Sequence, residues 1–506
     1  MSMVRQGDHP KMRMGVTVRG SAPWASAASS TVQAGSDLRP LLSLALAQFV
    51  VVMNTSVVNI ALPSIRLGLG LSPVELTWVI NAYVLAFGGL LLAGGRAADV
   101  FGRSRVFTVS LAAFGVTSLG AAVAPGAGFL IAFRGLQGIA AAVLSPAALS
   151  IALTLYPKGH ARSVALAVWG VVSGAGGAAG VIAGGMLTTT FGWRSVFVAA
   201  LPFVGLSLVM PSSQGTSSTE SSDRPTFDVL GAVLVTGALG LLTFSLAGIT
   251  HHGWLSTRTM GLFVIGALLL VAFVEVERRS MAPLVRLGLF ANPSVRFANA
   301  AMTLVGGAWL ALFFFLPLYQ QQVLGYSALR TGLTQLPLAV AIMVASTQVR
   351  RITVRLGART TLVGGLVLLT VGLAGFSRIR VDATFLGHLL GPSLLVGLGL
   401  GVAFVELTSL GTHGVAPAES GLASGLVNAT RQCGGAMGLA LLVSLAASRT
   451  GSAAEPGVAA LTEGYRTAFL AASVLTGVAT LLALRAPRPT ALSTSAVDNH
   501  EPSQHP

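Results

Sequence analysis

The chain has 506 residues, of which 53% are hydrophobic and 9% charged, with a net charge of +15 and a mean hydropathy of +0.78. Soluble domains carry roughly 25% charged residues, so too few charges are present to coat a water-facing surface of this size. The apolar runs do not alternate apolar and polar residues, which disfavours a transmembrane β-barrel, and their basic residues sit in short intervening loops rather than in a nucleic-acid-binding patch.

In chain order, residues 1–38 are polar and basic, with Arg5, Lys11, Arg13 and Arg19. They lack a short apolar core followed by a cleavage site and read as a disordered cytoplasmic tail. Apolar runs of spanning length, about 20 residues, then predict fourteen transmembrane helices. They lie at 40–62, 75–97, 105–124, 128–153, 163–187, 194–211, 228–249, 259–277, 296–320, 330–349, 360–377, 385–410, 420–445 and 465–485. The run at 194–211 is the shortest for its neighbourhood. The Ser/Thr-rich segment 212–226 reads as a flexible linker separating six spans from eight. Residues 487–506 read as a second disordered tail. With both termini cytoplasmic, about two thirds of the 31 Lys and Arg fall in cytoplasmic loops, as the positive-inside rule requires. The single cysteine, Cys433, lies in an apolar run. It permits no intramolecular disulfide and reads as a packing residue.

Several motifs occur in a fixed order. The loop after span 2 carries Gly95, Asp99, Gly102, Arg103 and Arg105. Gly102 permits a tight turn, Asp99 suits a helix N-terminus or a cation, and the arginines can pair with acids on a neighbouring helix end. Span 1 contains Asn54-Thr-Ser-Val-Val-Asn59-Ile-Ala-Leu-Pro63, and span 2 carries Trp78 and Tyr83. Span 4 contains Arg134-Gly-Leu-Gln137-Gly138, and span 5 carries Gly176, Gly180, Gly184 and Gly185. Gly192-Trp193-Arg194 opens span 6, Phe227-Asp228 and Gly253-Trp254 flank span 7, and Leu324-Gly325-Tyr326-Ser327 with Leu336-Pro337 frames the start of span 10. Gly421, Gly425, Asn428, Arg431 and Gln432 mark span 13. In this order, from about residue 40 to 485, they resemble the fourteen-helix drug:proton antiporter branch of the major facilitator superfamily.

The resemblance implies an all-α polytopic fold: a six-helix bundle at 39–211, an inserted two-helix hairpin at 227–278, and a second six-helix bundle at 279–486. Arg355-Leu-Gly357-Ala-Arg359 would repeat the loop after span 2 in the second half, without its aspartate. The loop motif would latch helices of one bundle, and Gly176, Gly180 and Gly184 would allow close helix packing. Two departures stand out. Asn54 occupies a position usually acidic in that branch, and the antiporter motif of span 5 has Val181 where Pro is usual and Ala167 where its first Gly is usual.

A charge in mid-membrane costs roughly 2.5–3.5 kcal/mol, so it should face a partner or a wet cavity. Arg134 and Glu406 are the leading candidates, with Glu406 expected as the proton-carrying carboxylate and Arg134 as a modulator of its protonation or a holder of an anionic substrate group. Glu406 placed instead near the cytoplasmic end would merely cap a loop. Asn54, Asn59 and Gln137 can hydrogen-bond a substrate or join helices. Trp309 and Phe313 can line a cavity, or pack with Phe314 and Phe315. His251 and His252 supply too few ligands for a metal, and no Gly-x4-Gly-Lys-Ser/Thr loop or soluble catalytic domain is present. The resemblance implies a monomeric exporter, not an enzyme. It would move amphipathic drugs across a bacterial cytoplasmic membrane, driven by a proton gradient without a cofactor. A dedicated exporter or importer of one metabolite, and a non-transporting membrane sensor, are the competing readings.

Overall fold

The computed structural model describes residues 39–156, 159–210, 228–253, 255–280, 283–416, 419–451 and 457–485. The expected tails and the linker at 212–226 lie outside these residues, as does Trp254. The described residues are almost entirely helical and contain no strand.

The first half comprises α1 (Arg39–Leu69), α2 (Pro73–Phe101), α3 (Arg103–Ala122), α4 (Ala127–Leu155), α5 (Gly159–Phe191) and a two-segment α6 (Ser195–Val198 and Leu201–Val209). A hairpin follows, α7 (Val229–His252) and α8 (Thr257–Arg279). The second half comprises α9 (Pro293–Gln322), α10 (Ala328–Leu356), α11 (Ala358–Phe376), α12 (Leu390–Thr412), α13 (Ser420–Gly451) and α14 (Val458–Leu484). Among the described residues, 13 helices are long and apolar enough to cross a membrane. The remaining pass is α6, apolar but shorter. Its two segments join through Ala199 and Ala200, which keep right-handed helical angles with φ −57° and −72°. Thirteen of the fourteen expected passes are helices of spanning length, and the shorter α6 stands at the position of the sixth.

Hydropathy marks where the apolar stretch ends, not where the helix ends. The second span, expected at 75–97, extends from Pro73 to Phe101. Its start is fixed by a capping box: Ser72 Oγ accepts from the Glu75 N–H at 3.2 Å, and Glu75 Oε2 accepts from the Ser72 N–H at 2.8 Å. Such a box satisfies two orphan N–H groups at once. The helix stops only at Gly102, whose φ of +90° interrupts right-handed coiling. Helix α3 begins at the next residue, so the expected loop is a single-residue hinge. Gly357, with φ +82°, makes the same connection between α10 and α11. The degenerate second-half motif thus preserves the geometry that its glycine controls.

Helix pairing repeats between the halves. Within the first, α2 and α3 pack on α4, α3 packs on α6, and α1 packs on α5. Within the second, α10 and α11 pack on α12, α11 on α14, and α9 on α13. Each pairing maps onto its counterpart when the six helices are matched in order. Two of the contacts between the halves, α2 with α13 and α5 with α10, exchange under the same match. This is the signature of parallel repeats related by an axis normal to the membrane. The hairpin packs through α7 against both α2 and α13.

Small residues bring the backbones together. A Cβ on Gly176, Gly180 or Gly184 would lie 3.0, 2.7 and 2.9 Å from the carbonyl oxygens of Phe49, Met53 and Val57 on α1. Glycine at four-residue spacing is what such proximity needs. The stretch around Val181 is part of one unbroken helix through Phe191.

Candidate functional site

Helix α1 and helix α9, the first of each half, are buried along most of their length. Polar side chains on such helices cannot reach bulk water and must find partners within the protein. In the first half Asn54 of α1 meets Arg134 of α4, which is only 1% exposed. Its Nε donates to the Val79 carbonyl at 2.9 Å, and its Nη1 donates to Asn54 Oδ1 at 2.7 Å and Gln137 Oε1 at 2.6 Å. Gln137 in turn donates to Ser118 Oγ at 2.6 Å. The guanidinium carbon lies 4.3 Å from the Tyr83 ring centroid. One cation therefore joins α1, α2 and α4, and Gln137 extends the chain to α3. All of its partners are neutral: two side-chain amides, a carbonyl and a ring face. Arg134 forms no ion pair with a described residue.

Of the expected cavity residues, Asn54 and Gln137 thus meet at Arg134. Asn59 is buried on the same helix as Asn54 but stands outside this network. Asn54 Nδ2 is buried without a hydrogen-bond partner among the described residues. Across the molecule, Asn81 of α2 donates to the Ala436 carbonyl of α13 at 3.3 Å, a polar tie between the halves.

The second half holds a different constellation. Trp309 and Phe313 of α9 meet edge to face at 6.2 Å between centroids, and Trp309 meets Phe404 of α12 at 6.0 Å. The guanidinium carbon of Arg431 on α13 lies 5.3 Å from the Trp309 ring and 5.1 Å from the Phe404 ring. Its Nη2 donates to Asn428 Oδ1 at 2.6 Å, while its Nε is buried without a partner among the described residues. Sequence reasoning places Arg431 inside a span but does not select it for the site. The available signal is an arginine in an apolar run with Asn428 and Gln432 within one turn.

Glu406 of α12 is buried, and its Oε1 accepts a hydrogen bond from the Thr353 hydroxyl of α10. Thr353 stands one turn from the end of α10, so the carboxylate lies toward the α10–α11 hinge rather than at the middle of the bundle. Phe404 and Glu406 are two residues apart, about 200° around the helix. Phe404 meets Trp309 and Arg431, and Glu406 meets α10. Glu406 and Arg134 therefore engage separate partners.

At the α2–α3 hinge, Arg103 donates to Thr154 Oγ1 of α4, and Arg105 is exposed. Gly95 faces Pro146 of α4, where an added Cβ would sit at an ordinary 3.7 Å. The Asp99 side chain lies outside the described residues. On the matching face of the second half, Arg286 pairs with Glu419, and Asn292 Nδ2 donates to the His413 carbonyl at 2.8 Å. Among the described residues no group of three or more His, Cys, Asp or Glu is placed to hold a metal.

At the opposite end of the bundle, where α1 turns into α2, the halves come into close contact. A Cβ on Gly185 of α5 would lie 2.7 Å from the Ala328 carbonyl of α10, and one on Gly332 would lie 2.6 Å from the Val181 carbonyl. Ile60, Val181 and Ala328 pack together there, and Gln321 of α9 donates to the Ile60 carbonyl at 2.9 Å.

Comparison with known proteins agrees with this arrangement. The family described as the Major Facilitator Superfamily matches residues 44–439. The cephamycin export protein of Amycolatopsis lactamdurans is 39% identical over 474 residues, covering 92% of this chain and 96% of that protein. The puromycin resistance protein of Streptomyces alboniger is 40% identical over 420 residues, covering 81% and 82%. A solved nucleoside transporter superposes with a TM-score of 0.63 at 11% identity, covering 89% of this chain and 99% of that one. A bacterial homologue of the human lysosomal transporter Spinster, inward-facing and occupied, superposes with 0.61 at 17% identity, covering 93% and 98%. Repeated halves, exchanged interfaces and these relatives lead to one assignment: the chain belongs to the Major Facilitator Superfamily.

Proposed function

We propose that the protein is a secondary active exporter of amphipathic antibiotics or drugs, working by alternating access and proton antiport. The observation that carries this reading is the pair of exchanged contacts, α2 with α13 and α5 with α10. They leave two matched bundles able to rock about a polar centre, the geometry by which such repeats expose a central site to either side. The named activities of the relatives, cephamycin export and puromycin resistance, support an antibiotic cargo over a nutrient. The protein is a multi-pass membrane protein and not an enzyme. It is assigned to the bacterial cytoplasmic membrane as a monomer, with both termini cytoplasmic on the basic-loop bias. On that orientation the close contact between α5 and α10 lies toward the outer side.

In this reading Glu406 loads and unloads the driving proton. Carrying one charge inward across 100 mV supplies about 2.3 kcal/mol per cycle, and no cofactor is needed. Thr353 holds the carboxylate, so its hydroxyl would be released when α10 and α12 shift. The Arg134 network gives the first half a fixed, buried positive charge.

The test is drug efflux from proteoliposomes with an imposed pH gradient. Wild-type protein should accumulate a cephamycin or puromycin against its gradient only when the pH gradient is present. Glu406→Gln should reduce gradient-driven flux at least tenfold while leaving exchange of drug for drug. Gradient-driven flux at the wild-type rate would remove Glu406 from the mechanism. Transport of only one compound among several unrelated antibiotics would favour a dedicated exporter.

A further inference from the structure

The geometry points to a cargo that carries an anionic group beside an aromatic body, bound by Arg431 against the faces of Trp309, Phe313 and Phe404. The inference rests on the export reading and specifies its substrate class.

Three observations converge. First, Arg431 is incompletely satisfied. Nη2 meets only the neutral Asn428 amide oxygen, Nε is buried without a partner, and Nη1 has no hydrogen bond to a described residue. A guanidinium is a planar fork matched to carboxylate, sulfonate or phosphate oxygens. A buried N–H on its edge is a donor waiting for an acceptor.

Second, the centre of the protein has no described carboxylate to neutralise its cations. Arg134 bonds two amides and a carbonyl, and neither arginine forms an ion pair with a described residue. Asn54 stands beside Arg134 where a carboxylate would cancel its charge. Glu406 bonds Thr353 on the side of α12 away from Phe404. Glu277, the other buried acid of the described spanning helices, accepts from the Val285 N–H at 3.3 Å in the hairpin. Two uncompensated positive charges favour an anionic guest and oppose a cationic one.

Third, the aromatic residues cannot serve a cation well, because the π faces of Trp309 and Phe404 already lie beside Arg431. They remain suited to the flat apolar part of a guest. Trp309 and Phe313 are partly exposed on a helix that is otherwise mostly buried.

The test uses the purified full-length protein in proteoliposomes and three probes of fixed charge on one aromatic body. These are naphthalene-2-sulfonate, the neutral naphthalene-2-sulfonamide, and naphthylmethyl-trimethylammonium. Wild type should move the sulfonate at least tenfold more efficiently, as kcat/KM, than the ammonium probe. Arg431→Gln should lower the sulfonate-to-sulfonamide ratio at least tenfold, and Arg431→Lys, which keeps the charge, should retain most of it. Thermal melting of each variant separates loss of preference from loss of fold. If Arg431→Gln does not fold, the wild-type preference and the Arg431→Lys ratio decide the matter. Equal or better transport of the ammonium probe by wild type overturns the anionic assignment and leaves export standing. So does movement of a cephamycin or puromycin with none of the three probes. Failure to move a cephamycin, puromycin and all three probes rejects the export reading itself.

Discussion

Asn54 donates nothing to Arg134; it accepts from it, at 2.7 Å, and so does what a carboxylate would do geometrically without cancelling the charge. Removing that acceptor leaves a buried guanidinium N–H short of one partner, which costs about 1–3 kcal/mol. Asn54→Ala should therefore lower the melting temperature, whereas Asn54→Asp, which keeps an acceptor in place, should melt at or above wild type. Equal losses for both variants in a detergent melt would show that the hydrogen bond is not what matters. Arg134→Lys should destabilise nearly as much as Arg134→Ala, because an ammonium cannot span Val79, Asn54 and Gln137 with a planar fork. At this scale the sequence is informative about which residues matter. Polar groups in apolar runs identify themselves by their desolvation cost. It is silent about who meets whom, since Asn54 and Arg134 are separated by 80 positions. Arg431 is hard to single out for the same reason: its significance lies in Trp309 and Phe404, which are remote in the chain.

Among the elements, α5 shows how a local pattern becomes a packing surface. Gly176, Gly180 and Gly184 lie on one face, and each admits a backbone carbonyl of α1. Gly177 lies on another face, and its nearest neighbour, Ser56 Oγ, would be 3.9 Å from an added Cβ. Gly180→Leu should thus force α1 and α5 apart and cost about 1–3 kcal/mol or more, while Gly177→Ala should leave thermal stability near wild type. A comparison of melting curves for the two variants checks the assignment. The missing proline at Val181 is consistent with the unbroken course of α5, since a residue with an N–H keeps the helical ladder intact. Element ends are less legible than element existence. Hydropathy reports the bilayer's thickness, whereas α2 continues to Gly102 because its backbone hydrogen bonds are internal and need no apolar side chains.

For the whole molecule, the proposed alternating access requires the halves to separate at the end where Gly185 meets Ala328 and Val181 meets Gly332. A side chain at Gly185 would collide with the α10 backbone, so Gly185→Leu should hold that end apart. Introduced into a Cys433→Ala background carrying Ile60→Cys, it should make the buried position 60 reactive toward a membrane-impermeant maleimide. The same change should cut antibiotic efflux at least tenfold in folded protein. Protection of position 60 equal to that in the Gly185 parent would mean that this contact does not gate the end.

The sequence by itself determined that the chain carries about fourteen apolar spans joined by short basic loops, with glycines at helical spacing. These are properties of local composition: apolar length, loop charge and glycine spacing act on each segment independently of its partners. Only the tertiary structure decided that Arg134 is held by neutral groups, that Arg431 sits among aromatic rings with donors to spare, and that Glu406 turns away from both toward Thr353. Those outcomes depend on which faces of distant helices are brought together, and in a bilayer that choice is made by close packing of small residues, which no single segment encodes. Fourteen apolar spans and the order of their motifs were enough to predict a transporter; the unbalanced charge at its centre became visible only when α1, α4, α9, α12 and α13 were assembled.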